Sequence, residues 1–303
     1  MGAILVSGIH RSGSTWLGNM ISLANTVVYI HEPFQVGISF KYGRGPLNYW
    51  YEYLHAESDA EQQEQMLIFI NYLKNVNYFD FRDLKTRQPE KLIRTLNNIW
   101  KKMIAKSNGK FRYLYKDPIA LFSIEWLINN IPDLKVVISI RHPAAFVNSI
   151  KSLGWGLDFN HIKRQQSLVN RYLRKYAKEI ELIAGNRKAT IIDEGILIWN
   201  LIHERIKQYQ QQYPRWCYIK YENIASNPIP GFKSIYEYLD LEFTPKIENR
   251  IKFYTTHRSS KGQLIRDSKN VVSAWKKNLS VDEIDAIATG TKALAKHFGY
   301  SFV

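Results

Sequence analysis

Five short runs of apolar, largely β-branched residues punctuate the chain, at 3–6, 26–30, 111–115, 134–140 and 216–221. The fourth, Leu-Lys-Val-Val-Ile-Ser-Ile, is nearly continuous, which predicts a strand buried on both faces, as in a parallel sheet. Between these runs apolar residues recur at helical spacing. One such pattern opens at Trp16 and runs through Leu17, Met20, Ile21 and Ala24. A second, over 89–107, carries Leu92, Ile93, Leu96, Ile99, Trp100, Met103 and Ile104 in one stripe. Further helices are predicted at 122–129, 161–184, 194–213, 232–239, 245–254 and 281–297. Ser58-Asp59 and Ser280 stand as N-caps before acidic first turns, and Asn108-Gly109 supplies a stop. Strands alternating with helices predict an α/β fold, a parallel sheet flanked by helices on both faces. Residues 40–110 interrupt the alternation and are expected to form a helical insertion, a candidate lid or acceptor-binding segment, within a single domain over 1–303. The polar stretch 255–269 reads as a loop or flap.

Composition narrows the partners. The chain has 303 residues, 45% of them hydrophobic, enough for a sizeable core. Lys and Arg total 42 against 27 Asp and Glu, a formal charge of +15, which favours an anionic ligand, an anionic acceptor, nucleic acid or a membrane surface. The single cysteine, Cys217, lies in an apolar run, so it reads as an inert buried thiol. No run approaches the ~20 apolar residues a membrane span needs, and no signal peptide precedes the first strand. A soluble, cytoplasmic protein is expected, with peripheral membrane contact left open.

The stretch Gly8-Ile9-His10-Arg11-Ser12-Gly13-Ser14-Thr15-Trp16 joins the first predicted strand to the first helix. Strand, tight glycine loop and helix form a phosphate cradle, because loop N–H groups and the helix N-terminus point at one anion. The glycine spacing is that of a nucleoside-triphosphate loop, but Ser14 occupies the lysine position and the cation has moved to Arg11. A grip on β- and γ-phosphates is therefore not expected.

A second anion grip is predicted where Arg141 ends the fourth strand and Ser149 lies two turns into the following helix. Ligands in such sheets sit outside the carboxyl ends of the strands. The loop 8–15, Glu32, Lys116-Asp117 and Arg141 all follow strand ends, so they are expected on one rim.

These motifs resemble those of sulfotransferases that use 3′-phosphoadenosine 5′-phosphosulfate (PAPS). In that family a [KR]-S-G-[ST]-[ST] loop, here Arg11-Ser12-Gly13-Ser14-Thr15-Trp16, binds the 5′-phosphosulfate. A strand ending in R-[DH]-P with a later serine, here Arg141-His142-Pro143 and Ser149, binds the 3′-phosphate. The resemblance extends to Lys116-Asp117-Pro118, to Tyr221-Glu222-Asn223, whose tyrosine would lie near the adenine, and to Lys261-Gly262 and Trp275-Lys276, which would close over the nucleotide. Ser260 stands where an arginine is expected before Lys261; Arg258 is nearby. Trp16 would stack near the adenine. His31-Glu32-Pro33-Phe34 resembles the E-P segment of glycan-directed members, whose glutamate acts as base. The resemblance implies in-line transfer of a sulfuryl group to a hydroxyl or amine of a carbohydrate or other small-molecule acceptor. Arg11 and Lys116 would supply positive charge and Glu32 would take the proton, with His10 and His31 as other candidate bases. No metal and no nucleic-acid partner is expected. The alternatives are a P-loop nucleotide kinase or NTPase, against which Ser14 argues, and a non-enzymatic basic module binding nucleic acid or another anion.

Overall fold

A computed structural model describes residues 2–37, 39–40, 43–44, 47–74, 96–101, 103–104, 111–185, 189–256 and 272–302. Its strands are β1 (Ala3–Gly8), β2 (Val27–His31), the short pair β3 (Ser39–Phe40) and β4 (Gly43–Arg44), β5 (Arg112–Lys116), β6 (Lys135–Ile140) and β7 (Cys217–Lys220). Five of them form one sheet in the order β2-β5-β1-β6-β7, with every neighbouring pair parallel. These are the five predicted strands. Their apolar residues alternate between two cores. Ala3 and Leu5 of β1 join Val136 and Ile138 of β6 on one face, and Ile4, Val6 and Val137 pack on the other. A strand covered on both faces needs no polar alternation, which is why 134–140 is so uniformly apolar.

The helices that matter for the site are α1 (Ser14–Ile21), α2 (Ala60–Leu73), α3 (Pro143–Lys151), α4 (Ile191–Gln212), α5 (Tyr221–Ser226), α6 (Pro228–Tyr238) and α7 (Val281–His297). The last has the predicted bounds, set by a capping box in which Ser280 and Glu283 satisfy each other's backbone N–H groups. A second capping box, Thr190 with Asp193, starts α4 three residues before the predicted 194.

One expectation is corrected. The helix predicted over 161–184 is four pieces, Asn160–Lys163, Gln166–Tyr172, Arg174–Tyr176 and Ala177–Gly185. Gln165 leaves the helical region because its side chain accepts the N–H of Tyr53 at 2.8 Å, and Leu173, also non-helical, is fully buried. Of the apolar stripe of the helix at 96–104, Ile104 packs beside Val28 and Phe111, while Leu96, Trp100 and Met103 are more than half exposed. Its polar side faces in. Asn98 exchanges hydrogen bonds with the backbone N–H and C=O of Tyr29, and buried Lys101 donates to the carbonyls of Ser22, Ala24 and Val27. The reason is topological: β2 is an edge strand, and its open backbone groups need partners. The remainder of this predicted helix, including Leu92 and Ile93, and most of the stretch 255–269 lie outside the described residues.

The earlier part of the insertion belongs to the main core, where Tyr51, Leu54, Phe69 and Leu73 are fully buried beside Phe34, Tyr115 and Phe122. Among the described residues no helix is long and apolar enough to cross a membrane.

Candidate active site

The carboxyl ends of β1, β2, β5 and β6 open into one cavity of about 350 Å³. One end is lined by Arg11, Gly13, Ser14, Thr15, Trp16, Arg141, Trp155 and Tyr221, the other by His10, His31, Glu32, Gln35, Trp50, Lys116, Asp117, Pro118 and Ile119.

The first end follows from the loop backbone. Gly8 (φ 138°) and Gly13 (φ 87°) take conformations that disfavour a side chain. A Cβ on Gly13 would also stand 2.3 Å from the Tyr221 ring. Arg11 adopts φ 63°, a left-handed conformation costing about 1–3 kcal/mol for a non-glycine residue. The loop is fastened to β6 by a hydrogen bond from Ser139 Oγ to the Ser12 carbonyl at 2.7 Å. Arg141 donates to the Arg11 carbonyl, and Arg11 Nε donates to Ser149 Oγ at 3.1 Å. The two predicted anion grips thus touch directly, with the Arg11 guanidinium also 5.5 Å from the Trp155 ring centre. Tyr221 lies under the Arg141 guanidinium at 5.3 Å and edge-on to Trp16, which packs in turn on Phe232. Trp16 is therefore both cavity wall and helix packing.

Arg141 is held from behind by residues that sequence reading did not assign. The fully buried Trp199 of α4 donates Nε1–H to the Arg141 carbonyl at 3.0 Å. Glu222 accepts the His142 N–H at 2.9 Å and the Tyr300 hydroxyl at 2.8 Å, tying β6, α5 and the C-terminal segment together. Glu222 stands in the quoted Tyr-Glu-Asn motif, so a signal for it was present. Trp275 stacks on the His142 ring, 4.8 Å away, and is buried there rather than lining the cavity. Lys261 and Gly262 lie outside the described residues.

The second end is organised by Asp117. Its carboxylate accepts the N–H groups of Phe34 (2.7 Å) and Ile119 (3.0 Å), and its own N–H donates to the Val6 carbonyl. Burial, reinforced by the charge of Glu32, pushes the Asp117 carboxyl up to about 7. Together with the Glu32 N–H, which donates to the Lys116 carbonyl at 2.8 Å, this fixes the His31-Glu32-Pro33-Phe34 turn, where Glu32 takes φ 42°. Lys116, almost fully buried, pairs its ammonium with Glu32 Oε1, and the other carboxylate oxygen lies 3.9 Å from His31 Nε2. His31 Nδ1 in turn meets the Tyr29 hydroxyl at 2.9 Å. A carboxylate next to a buried ammonium and an imidazole, open to a cavity, is equipped to accept a proton.

Three comparisons with known proteins bear on this arrangement. The family model described as "Sulfotransferase family" matches residues 3–245, four-fifths of the chain and both anion motifs. The chain belongs to the sulfotransferase family. It is an enzyme of the PAPS-dependent class, and sulfuryl transfer is its general chemistry. Among solved structures the sulfotransferase shares its fold with the sulfotransferase domain of the curacin biosynthetic pathway, at 14% identity and a TM-score of 0.54 over 99% of this chain and 98% of that one. It is also similar to the sulfotransferase domain of the Synechococcus PCC 7002 olefin synthase (13%, TM-score 0.48, 99% and 95% covered) and to the sulfotransferase STF9 of Mycobacterium avium (14%, TM-score 0.47, 99% and 77% covered). None of the curated proteins matches the sequence.

The residues present fit a PAPS-type donor. Ser12 Oγ is buried and has no hydrogen-bond partner among the described residues, at the centre of a loop that also offers backbone N–H groups to an anion. Arg11, Arg141 and Ser149 supply cations and a hydroxyl at the same end, and the Tyr221 and Trp16 rings supply faces for a base.

Proposed function

We propose that this sulfotransferase moves the sulfuryl group of PAPS to a hydroxyl or amine of a carbohydrate or other small-molecule acceptor, with in-line geometry across the cavity. The observation that carries the reading is that a single cavity joins the Arg11 loop to the Glu32–Lys116 pair.

PAPS supplies a sulfuryl group activated by attachment to a phosphate. Arg11, the loop N–H groups and the hydroxyls of Ser12, Ser14 and Thr15 hold the sulfate end and offset the negative charge that grows on the departing oxygen. Arg141 and Ser149 hold the 3′-phosphate, and Tyr221 and Trp16 flank the adenine. Lys261 and Gly262 are assigned to the nucleotide on the family motif alone. Glu32 takes the acceptor's proton, and Lys116 keeps that carboxylate oriented while adding positive charge beside the transferring group. Binding both partners along one rim contributes orientation. Trp50 offers a flat face, and Gln35, His31 and Glu32 offer polar groups. That combination suits a sugar ring, whose C–H faces stack and whose hydroxyls hydrogen-bond. The insertion at 40–110, which contributes Trp50, is proposed as the acceptor side of the site.

The test is transfer of ³⁵S from labelled PAPS across a panel of sugars, phenols and amines, with calorimetric binding of adenosine 3′,5′-bisphosphate (PAP) alongside. Labelled sugar product and PAP binding are expected. Labelling confined to phenols would replace the acceptor class, and absence of PAP binding would remove the donor assignment.

A further inference from the structure

His10 precedes Arg11 in the loop and lines the cavity. Its surroundings define which ring nitrogen carries the proton. The His10 backbone N–H donates to the Tyr51 hydroxyl oxygen at 3.0 Å, and His10 Nδ1 lies 2.7 Å from the same oxygen. Tyr51 is fully buried, and burial raises its phenol well above the usual range, so the hydroxyl keeps its proton. Among the described residues that proton has no acceptor other than His10 Nδ1. Were Nδ1 to carry a hydrogen instead, the oxygen would face two donors and its own O–H would be buried unsatisfied, at a cost of about 1–3 kcal/mol. The Tyr51 hydroxyl therefore accepts from the backbone and donates to Nδ1. The imidazole is neutral with its hydrogen on Nε2, and Nε2 has no hydrogen-bond partner among the described residues.

Two further observations agree. Tyr51 stands at φ 57°, a conformation retained only where surrounding structure enforces it. Burial, with Arg11 adding to it, lowers His10 to about 4, so the ring is uncharged at neutral pH. The ring plane is fixed by near-perpendicular packing against Phe146 at 5.1 Å and Trp50 at 6.4 Å.

We propose that His10 is a fixed neutral Nε2–H donor to an oxygen of the transferring sulfuryl group, held in that tautomer by Tyr51 as a positioning residue. His10 then acts alongside Arg11 as an electrophilic group and is not the base, because Nδ1 is taken up by the Tyr51 hydroxyl and the other ring nitrogen already bears hydrogen. This role rests on the sulfuryl-transfer reading of the cavity; the tautomer does not.

The experiment has a spectroscopic arm and a kinetic arm. In ¹⁵N-histidine NMR of the full chain, His10 should show an unprotonated Nδ1 and a protonated Nε2 from pH 6 to 8, and Tyr51→Phe should shift it toward mixed tautomers. Glutamine places its amide N–H₂ where Nε2 stands, whereas asparagine places it near Nδ1. His10→Gln is therefore expected to retain kcat within about tenfold, while His10→Asn and His10→Ala lose about 10²-fold or more, the scale of one oxyanion-type donor. Thermal melts and PAP calorimetry certify that each variant folds and binds. A wild-type spectrum with hydrogen on Nδ1 overturns the tautomer lock, and His10→Gln as inactive as His10→Ala among folded variants overturns the donor role. If wild-type protein neither binds PAP nor transfers sulfur, the reading of the cavity fails and the donor role with it, while the spectrum still decides the tautomer.

Discussion

At one end of the cavity the polar groups come from consecutive residues, 11 to 16, of a single strand–loop–helix unit, joined by Arg141 and Ser149 from the next unit in the sheet. At the other end Glu32, Lys116, Trp50 and His10 come from four separate segments, and each is fixed by a partner far away in sequence. Asp117 reaches Phe34, Lys116 reaches Glu32, and Tyr51 reaches His10. The contrast teaches where each kind of site is robust. The residue types of a backbone cradle are specified within one short stretch, although Ser139 and Arg141 fasten that loop to β6, whereas an end assembled from separate segments owes its very composition to long-range contacts. Both ends nevertheless hold backbone in left-handed conformations: Arg11, Glu32 and Tyr51 are three of the five non-glycine residues with positive φ among the described residues. Such conformations persist only where the surrounding packing enforces them.

The comparison can be broken most severely at Glu32. Glu32→Gln removes a proton acceptor and is expected to lower kcat by about 10²–10⁴-fold, with PAP affinity within twofold of wild type in calorimetry; unchanged kcat would move the base elsewhere. Arg11→Ala attacks the other end and should cost about 10²–10³-fold in transfer. It should weaken PAP binding as well, since Arg11 also touches Ser149. Gly13→Ala forces a Cβ into the Tyr221 ring and should abolish detectable PAP binding while the thermal transition persists. Ser149→Ala deletes one hydrogen bond to a charged group, worth about 1.5 kcal/mol. Roughly tenfold weaker PAP binding with little change in acceptor KM would keep the two ends separable.

The smallest effect is on stability against pH. His10 and the fully buried His203 are depressed by burial to about 4 and about 3, so below pH 6.5 the unfolded chain takes up protons that the folded one refuses, and stability falls on acidification. Asp117, raised to about 7, works in the opposite sense. Between pH 7 and 4 the folded state holds a proton that the unfolded chain releases, so acidification adds stability there. Removing that contribution in Asp117→Asn should make the loss of thermal stability from pH 7 to pH 5 steeper than in wild type. An equal or shallower loss would show that Asp117 is ionised in the folded protein.

Much of this was legible before folding. The five strands were visible because a parallel strand covered on both faces must be apolar throughout. The donor motifs were visible because loop glycines, a flanking cation and a following helix are adjacent in sequence. What misled was periodicity read without a neighbour. Residues 161–184 have helical spacing, yet Gln165 leaves the helix to satisfy Tyr53. The stripe of Leu96, Trp100 and Met103 looks like a core face, yet the sheet edge it meets asks for Asn98 and Lys101. Trp199 and Tyr300 gave no signal toward Arg141, because nothing in a helix or a C-terminal tail says which backbone group its side chain will meet.

The family, the parallel α/β sheet and the glycine loop around Arg11 could be read from the chain alone, since each shows in spacing within some twenty residues. That Lys116 pairs with Glu32, that Arg11 reaches Ser149 and that the Tyr51 hydroxyl meets His10 emerged from the folded chain alone. Those contacts span 41 to 138 residues of chain. They exist because sheet closure brings strand ends onto one rim, and no local pattern encodes which side chains then meet.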